Sequence, residues 1–130
     1  MEHLSNLKDV ILITSGAVIG ANTRFIVFRK LEKINLINNH IILVINTFSS
    51  FLLGLFLSFS SQIDSFTYSY QAGLFFSIGL LGSLSTFSTF IDDLYNLLIQ
   101  LEFYRALRLF ITSLTLGLLS FAAGFLIRNA

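Results

Sequence analysis

The side chains of this sequence that could do chemistry lie mostly in one run, Gly79-Leu-Leu-Gly82-Ser-Leu-Ser-Thr-Phe-Ser-Thr-Phe90. It packs Ser83, Ser85, Thr86, Ser88 and Thr89 in among two glycines and two rings. Glycine weakens a helix by roughly 1 kcal/mol relative to alanine, and serine and threonine hydroxyls offer the backbone alternative partners. The run therefore favours a local unwinding. Carbonyls released in this way point at something, and a desolvated cation is the natural occupant. A continuous helix that uses small residues for close packing accounts for the same composition equally well.

Phe87 and Phe90 stand at i and i+3 and share one helix face. An aromatic ring is negative on its face and positive at its edge, so ring edges attract an anion without a full charge. With 15 Phe in the chain, packing or lipid contact is the competing account of the pair. Asn46 lies in the middle of an earlier apolar stretch and carries two N–H donors. It either bridges two helices by a hydrogen bond or donates to a passing anion. Arg24 closes the first apolar stretch, where it either snorkels to the membrane interface or raises the local anion concentration at a vestibule mouth. Thr112, Ser113 and Thr115 in the last stretch either bond back to their own helix or line a polar track, and Ser113 is the preferred lining residue.

Other polar residues offer less. Gly16 and Gly20 have the spacing that lets two helices approach closely. Asp92 and Asp93 are adjacent, and neighbours on a helix point about 100° apart, which argues against a catalytic carboxylate pair. His3 and His40 belong to no ligand cluster. No nucleophile–base–acid set or phosphate-binding loop lies within reach, so the chain is not read as an enzyme.

The elements that must hold these residues follow from composition. Of 130 residues, 55% are hydrophobic and 12% charged, and the mean hydropathy is +0.82. A soluble domain of this size would have too little polar surface to cover its core, so lipid is the solvent. About 20 apolar residues cross the hydrocarbon layer as a helix. Four such spans are predicted, from about Val10 to Phe28, His40 to Ser60, Ala72 to Ile99 and Leu107 to Ile127. Each must be helical, because an open strand leaves backbone polar groups without partners in lipid. The expected fold is all-α, a single four-helix transmembrane domain over residues 1–130. Cysteine is absent, which excludes disulfides and thiolate metal sites. The formal charge of +1 gives no argument for nucleic acid.

Lys8 and Arg128 fall on the side of the termini, and Arg29, Lys30, Lys33, Arg105 and Arg108 on the other. This bias places the termini outside, but it is small. It suits either dual insertion or one fixed-orientation half of a pair.

Three motifs together resemble the Fluc (CrcB) fluoride channels, or fluoride exporters. They are Gly16-Ala-Val-Ile-Gly20-Ala-Asn-Thr-Arg24-Phe25, Asn46 followed by Ser50-Phe-Leu-Leu-Gly54-Leu, and Ser85-Thr86-Phe87-Ser88-Thr89-Phe90. The resemblance implies an antiparallel, dual-topology dimer in the cell membrane, with two fluoride pores lined by both subunits. It assigns Asn46 as a donor to fluoride, Phe87 and Phe90 as ring edges facing it, and Thr86, Ser88 and Thr89 as hydroxyls joining the break to the pore. It also implies a structural Na⁺ at the dimer centre, on the backbone carbonyls of Gly82 and Ser85. Fluoride would pass by passive flow that lowers its cytoplasmic concentration.

The sequence departs from the family pattern in places. Ser85 stands where threonine is usual, and Ser83 and Ser49 where glycine is common. Ile41 and Ile42 replace a frequent Gly-Thr. Leu109 occupies the place of a tyrosine one turn before Ser113. A heterodimer with a paralogous subunit, each keeping part of the symmetric set, is one explanation; the alternative partner is a second copy of this chain. Two alternatives of different kind are a four-span small multidrug-type transporter and a non-conducting assembly subunit. The transporter needs a membrane-embedded carboxylate, and the first span holds none.

Overall fold

A computed structural model describes residues 2–33, 38–60, 66–85 and 87–127. All regular structure among them is helical. α1 spans Glu2–Glu32, α2 Asn38–Ser60 and α3 Phe66–Ala72, which continues as a π-helical segment over Gly73–Leu81. α4 (Gly82–Leu84), α5 (Phe87–Ile99) and α6 (Phe103–Leu126) follow. Four stretches are long and apolar enough to cross a membrane: Asn6–Glu32, His40–Ser60, Ser69–Ile99 and Phe103–Leu126. The second coincides with its expected limits. The others begin earlier than the apolar pattern alone indicates, since helical hydrogen bonding continues into polar turns once a helix is nucleated.

The third stretch leaves helical geometry at one described residue. Gly82 keeps helical angles, with φ −63° and ψ −35°. The extended residue is Ser85, with φ −72° and ψ 147°. Its amide still donates to the Leu81 carbonyl at 3.1 Å, while the Ser83 hydroxyl donates to the Leu80 carbonyl at 3.0 Å. That back-bond occupies the serine hydroxyl within its own turn. Thr86, between Ser85 and the start of α5, lies outside the described residues, as does Arg128.

Helix packing relies on glycine at two contacts. A Cβ on Gly16 would collide with the Phe75 carbonyl and stand 3.0 Å from the Leu80 nitrogen, so α1 and the π-helical segment touch backbone to backbone. Gly54 and Gly124 do the same for α2 and α6: their Cβ atoms would collide with the Phe121 and Phe51 carbonyls. Lipid tails are as apolar as leucine, so close backbone approach, rather than hydrophobic burial, holds such helices together. Accordingly Leu118 is 62% exposed and Leu119 65%.

A small interior joins the two pairs. Ile41, Ile45, Leu81 and Leu84 form its buried centre, with Val27, Phe28 and Leu31 packed around them. Four of the positions that depart from the family pattern are packed within the chain. Ile41 is fully buried and Ile42 nearly so, while buried Ser49 donates to the Ile45 carbonyl at 2.8 Å. Ser83 sits under Gly20. The larger residues fill the chain's own interior.

α5 ends in a Schellman turn. The Glu102 amide donates to the Leu97 carbonyl at 3.0 Å and the Leu101 amide to Leu98 at 3.1 Å. Leu101 takes the left-handed position, φ 60°, where glycine is usual.

Candidate functional site

Three helices line an open cavity of about 220 Å³. α2 contributes Asn46 and Ser50, one turn apart. α5 contributes Phe87 and Phe90, and α6 contributes Phe110, Ser113, Leu114 and Gly117. Each set follows the i, i+3, i+4 spacing of a single helix face. The sequence-predicted Asn46, Phe87, Phe90 and Ser113, drawn from three separate spans, therefore meet in one place.

The rings form a row. The Phe87 and Phe90 centroids are 6.2 Å apart at 39°, and Phe90 and Phe110 are 6.4 Å apart at 35°. None of the lining residues is charged. The polar groups are one amide and two hydroxyls, all able to donate, and the rest of the wall is aromatic or aliphatic. Such a wall can hold a small anion by N–H, O–H and ring-edge contacts, each weaker than a full charge.

Arg24 and Thr89 meet elsewhere. They line a second cavity of about 180 Å³ with Ala21, Phe25, Phe28, Ile42 and Ile45. Arg24 is half-buried there, which sets a guanidinium beside a threonine hydroxyl from α5. Ser88 is exposed on α5 and lines neither cavity. The hydroxyls of Thr112 and Thr115 donate to the carbonyls of Arg108 and Ile111. These two threonines thus bond back to α6, while Ser113 lines the cavity. Gly82 and Ser85 lie on the other side of Thr86 from the rings, and Thr86 itself is outside the described residues.

Sequence reasoning missed Phe110 and assigned no role to Ser50, Leu114 or Gly117. Leu109, in the place where an aromatic hydroxyl was looked for, is not part of the cavity; its neighbour Phe110 is. The signal was present in the spacing, because residues 110, 113, 114 and 117 make one face of a 3.6-residue helix.

The sequence pattern of the family described as "CrcB-like protein, Camphor Resistance (CrcB)" matches residues 11–125. The chain belongs to the CrcB-like family. Every cavity-lining residue named above falls within the matched stretch. Among CrcB-like relatives, "Fluoride-specific ion channel FluC 2" of Prochlorococcus marinus (strain NATL2A) is 54% identical over 118 residues, covering 91% of this chain and 95% of that protein. A protein of the same name from another strain of Prochlorococcus marinus is 32% identical over 129 residues, 99% of this chain and 98% of its own. "Fluoride-specific ion channel FluC 1" of Parasynechococcus marenigrum (strain WH8102) is 33% identical over 117 residues, 90% of each. These names describe an ion channel and not an enzyme. Together with the four membrane-length helices, they make this a multi-pass membrane protein.

Proposed function

We propose that this chain is a subunit of a fluoride-selective channel that exports fluoride passively across the cell membrane. The observation that carries the reading is the meeting of Asn46, Phe87, Phe90 and Ser113 in one uncharged, donor-bearing cavity, in a chain whose relatives are named for fluoride. Fluoride is small and strongly hydrated. A selective path must replace its water with donors and electropositive edges at successive points, yet hold it weakly enough to release it. The Asn46 amide, the Ser50 and Ser113 hydroxyls and the edges of Phe87, Phe90 and Phe110 supply such points. Arg24, in its separate cavity with Thr89, concentrates anions at a vestibule. Of the hydroxyls that the family resemblance assigns to the path, Thr89 shares the Arg24 cavity and Ser88 is exposed in the lone chain, on a surface open to a partner; Thr86 is assigned by the resemblance alone.

The working unit is an antiparallel, dual-topology dimer with two pores, each chain a single four-helix domain over residues 1–130. Exposure supports a partner: Phe87 is 75% exposed in the lone chain, which leaves one side of the cavity for a second subunit to close. That subunit is a second copy or a paralogue. The relatives bear names numbered 1 and 2, in keeping with a paired subunit.

A structural Na⁺ at the centre of the dimer completes the reading, held by the backbone carbonyls of Gly82 and Ser85. The residues suit such an ion. Gly82 presents no side chain, and a Cβ there would have its nearest neighbour, the Ser77 carbonyl oxygen, at 3.6 Å. The extended ψ of Ser85 takes its carbonyl off the helical ladder. Among the described residues no three of His, Cys, Asp or Glu gather to form a side-chain metal site. Neutral carbonyl oxygens suit a hard cation, and two chains would bring four of them. The ion would supply a fixed positive centre that pins the two breaks together.

The test is fluoride efflux from liposomes holding the purified chain, alone and with a candidate partner, read beside chloride. Fluoride efflux with no matching chloride efflux is expected in at least one of the two preparations. Efflux in neither, from correctly folded protein, overturns the reading.

A further inference from the structure

The last two turns of α1 carry a feature that the proposed pore does not use. Phe25, Ile26, Arg29, Lys30 and Lys33 line a notch of about 290 Å³ on one side of the helix. Residues 25, 29 and 33 follow each other at four-residue intervals, with 26 and 30 beside them, so three cations and two apolar side chains share a stripe. The Arg29 guanidinium carbon lies 5.5 Å from the centroid of the Phe25 ring. At that distance the guanidinium is attracted to the ring face, which ties cation and ring together on one side of the helix.

None of Arg29, Lys30 and Lys33 is held in an ion pair among the described residues. Arg105, by contrast, pairs with Glu102 at 2.9 Å. Glu32 is the acid nearest in sequence, and at about 100° per residue it projects roughly a quarter turn from the centre of the stripe. Residues 34–37, Ile-Asn-Leu-Ile, carry no charge. The apolar part is equally open, with Phe25 62% and Ile26 53% exposed. A ligand that fits must be amphiphilic, with an anion over the cations and an apolar body along Phe25 and Ile26. The stripe ends a membrane-length helix, so its cations stand at headgroup depth and its apolar residues at the upper acyl chain.

We propose that this notch is a binding site for the headgroup of an anionic phospholipid, with the phosphate held by Arg29, Lys30 and Lys33 and the upper acyl chain against Phe25 and Ile26. A zwitterionic lipid brings a cation with its phosphate, and three fixed positive charges disfavour it. Free inorganic phosphate gains nothing from the ring and the isoleucine. Phe25 also lines the Arg24 cavity, but the three cations have no part in the proposed pore, so the site stands or falls separately.

The test is lipid selectivity by electron spin resonance. The full chain is reconstituted in phosphatidylcholine vesicles with trace spin-labelled phosphatidylglycerol or spin-labelled phosphatidylcholine. The motionally restricted fraction should show at least a roughly threefold preference for phosphatidylglycerol. The triple variant R29Q/K30Q/K33Q should lose it, and R105Q/R108Q should keep it. Single variants K30Q and K33Q, both at exposed positions, should each reduce it and serve if the triple variant does not fold. The proposal is overturned by equal restriction of the two labels, by loss in R105Q/R108Q as large as in the triple variant, or by displacement with millimolar inorganic phosphate.

Discussion

The ring of Phe90 on α5 lies 6.4 Å, centroid to centroid, from the ring of Phe110 on α6. This contact extends the Phe87–Phe90 pair onto a second helix and gives the cavity a third ring. It also brings the face that holds Ser113 against the polar end of α5.

Phe110 is therefore expected to matter through its ring rather than its size alone. An aromatic pair contributes about 0.5–1.5 kcal/mol beyond its area, so F110A should slow fluoride efflux roughly fivefold. F110Y, which keeps the ring, should stay near the parent rate. A fluoride electrode following efflux from liposomes reads both.

Asn46 lines the same cavity and is expected to act as a donor. Asn46→Asp is close to isosteric but replaces the N–H donors with a carboxylate that only accepts and repels an anion at short range. Fluoride efflux at neutral pH should fall at least about tenfold, with the helix content by circular dichroism unchanged. An N46D protein that conducts at the parent rate would remove Asn46 from the pathway.

The glycine contacts make a paired prediction about stability. A Cβ on Gly124 would collide with the Phe51 carbonyl and sit 3.0 Å from the Leu55 nitrogen, and backbone cannot swing aside as a side chain can. Gly124→Ala should cost about 1–3 kcal/mol, visible as a lower Tm in detergent. At Gly73 an added Cβ meets nothing within 4 Å, so Gly73→Ala should leave Tm unchanged or raise it.

The turn after α5 offers a gain. Leu101 holds a φ of 60°, a conformation that costs a residue with a Cβ about 1–2 kcal/mol. Leu101→Gly should relieve most of that, less the entropy that glycine returns to the unfolded chain. The expected net result is a Tm a few degrees higher, as roughly 1 kcal/mol would give.

What the sequence determined by itself is everything that lipid imposes on a chain. A membrane leaves no other partner for backbone N–H and C=O groups, so four long apolar stretches had to be helices. Local periodicity then set Phe87 and Phe90 on one face, and the Gly16–Gly20 spacing implied a close helix contact. Tertiary structure decided which faces meet. Whether Leu109 or Phe110, and Thr112 or Ser113, turns toward Asn46 depends on how α6 is rotated about its axis. That rotation is fixed by Gly124 and Gly54 pressing backbone on backbone, a contact between residues far apart in the chain. The backbone leaves helical geometry at Ser85, while Gly82 stays helical and the Ser83 hydroxyl bonds within its own turn. Composition offered both glycine and serine as the weak point, and only the folded backbone chose between them.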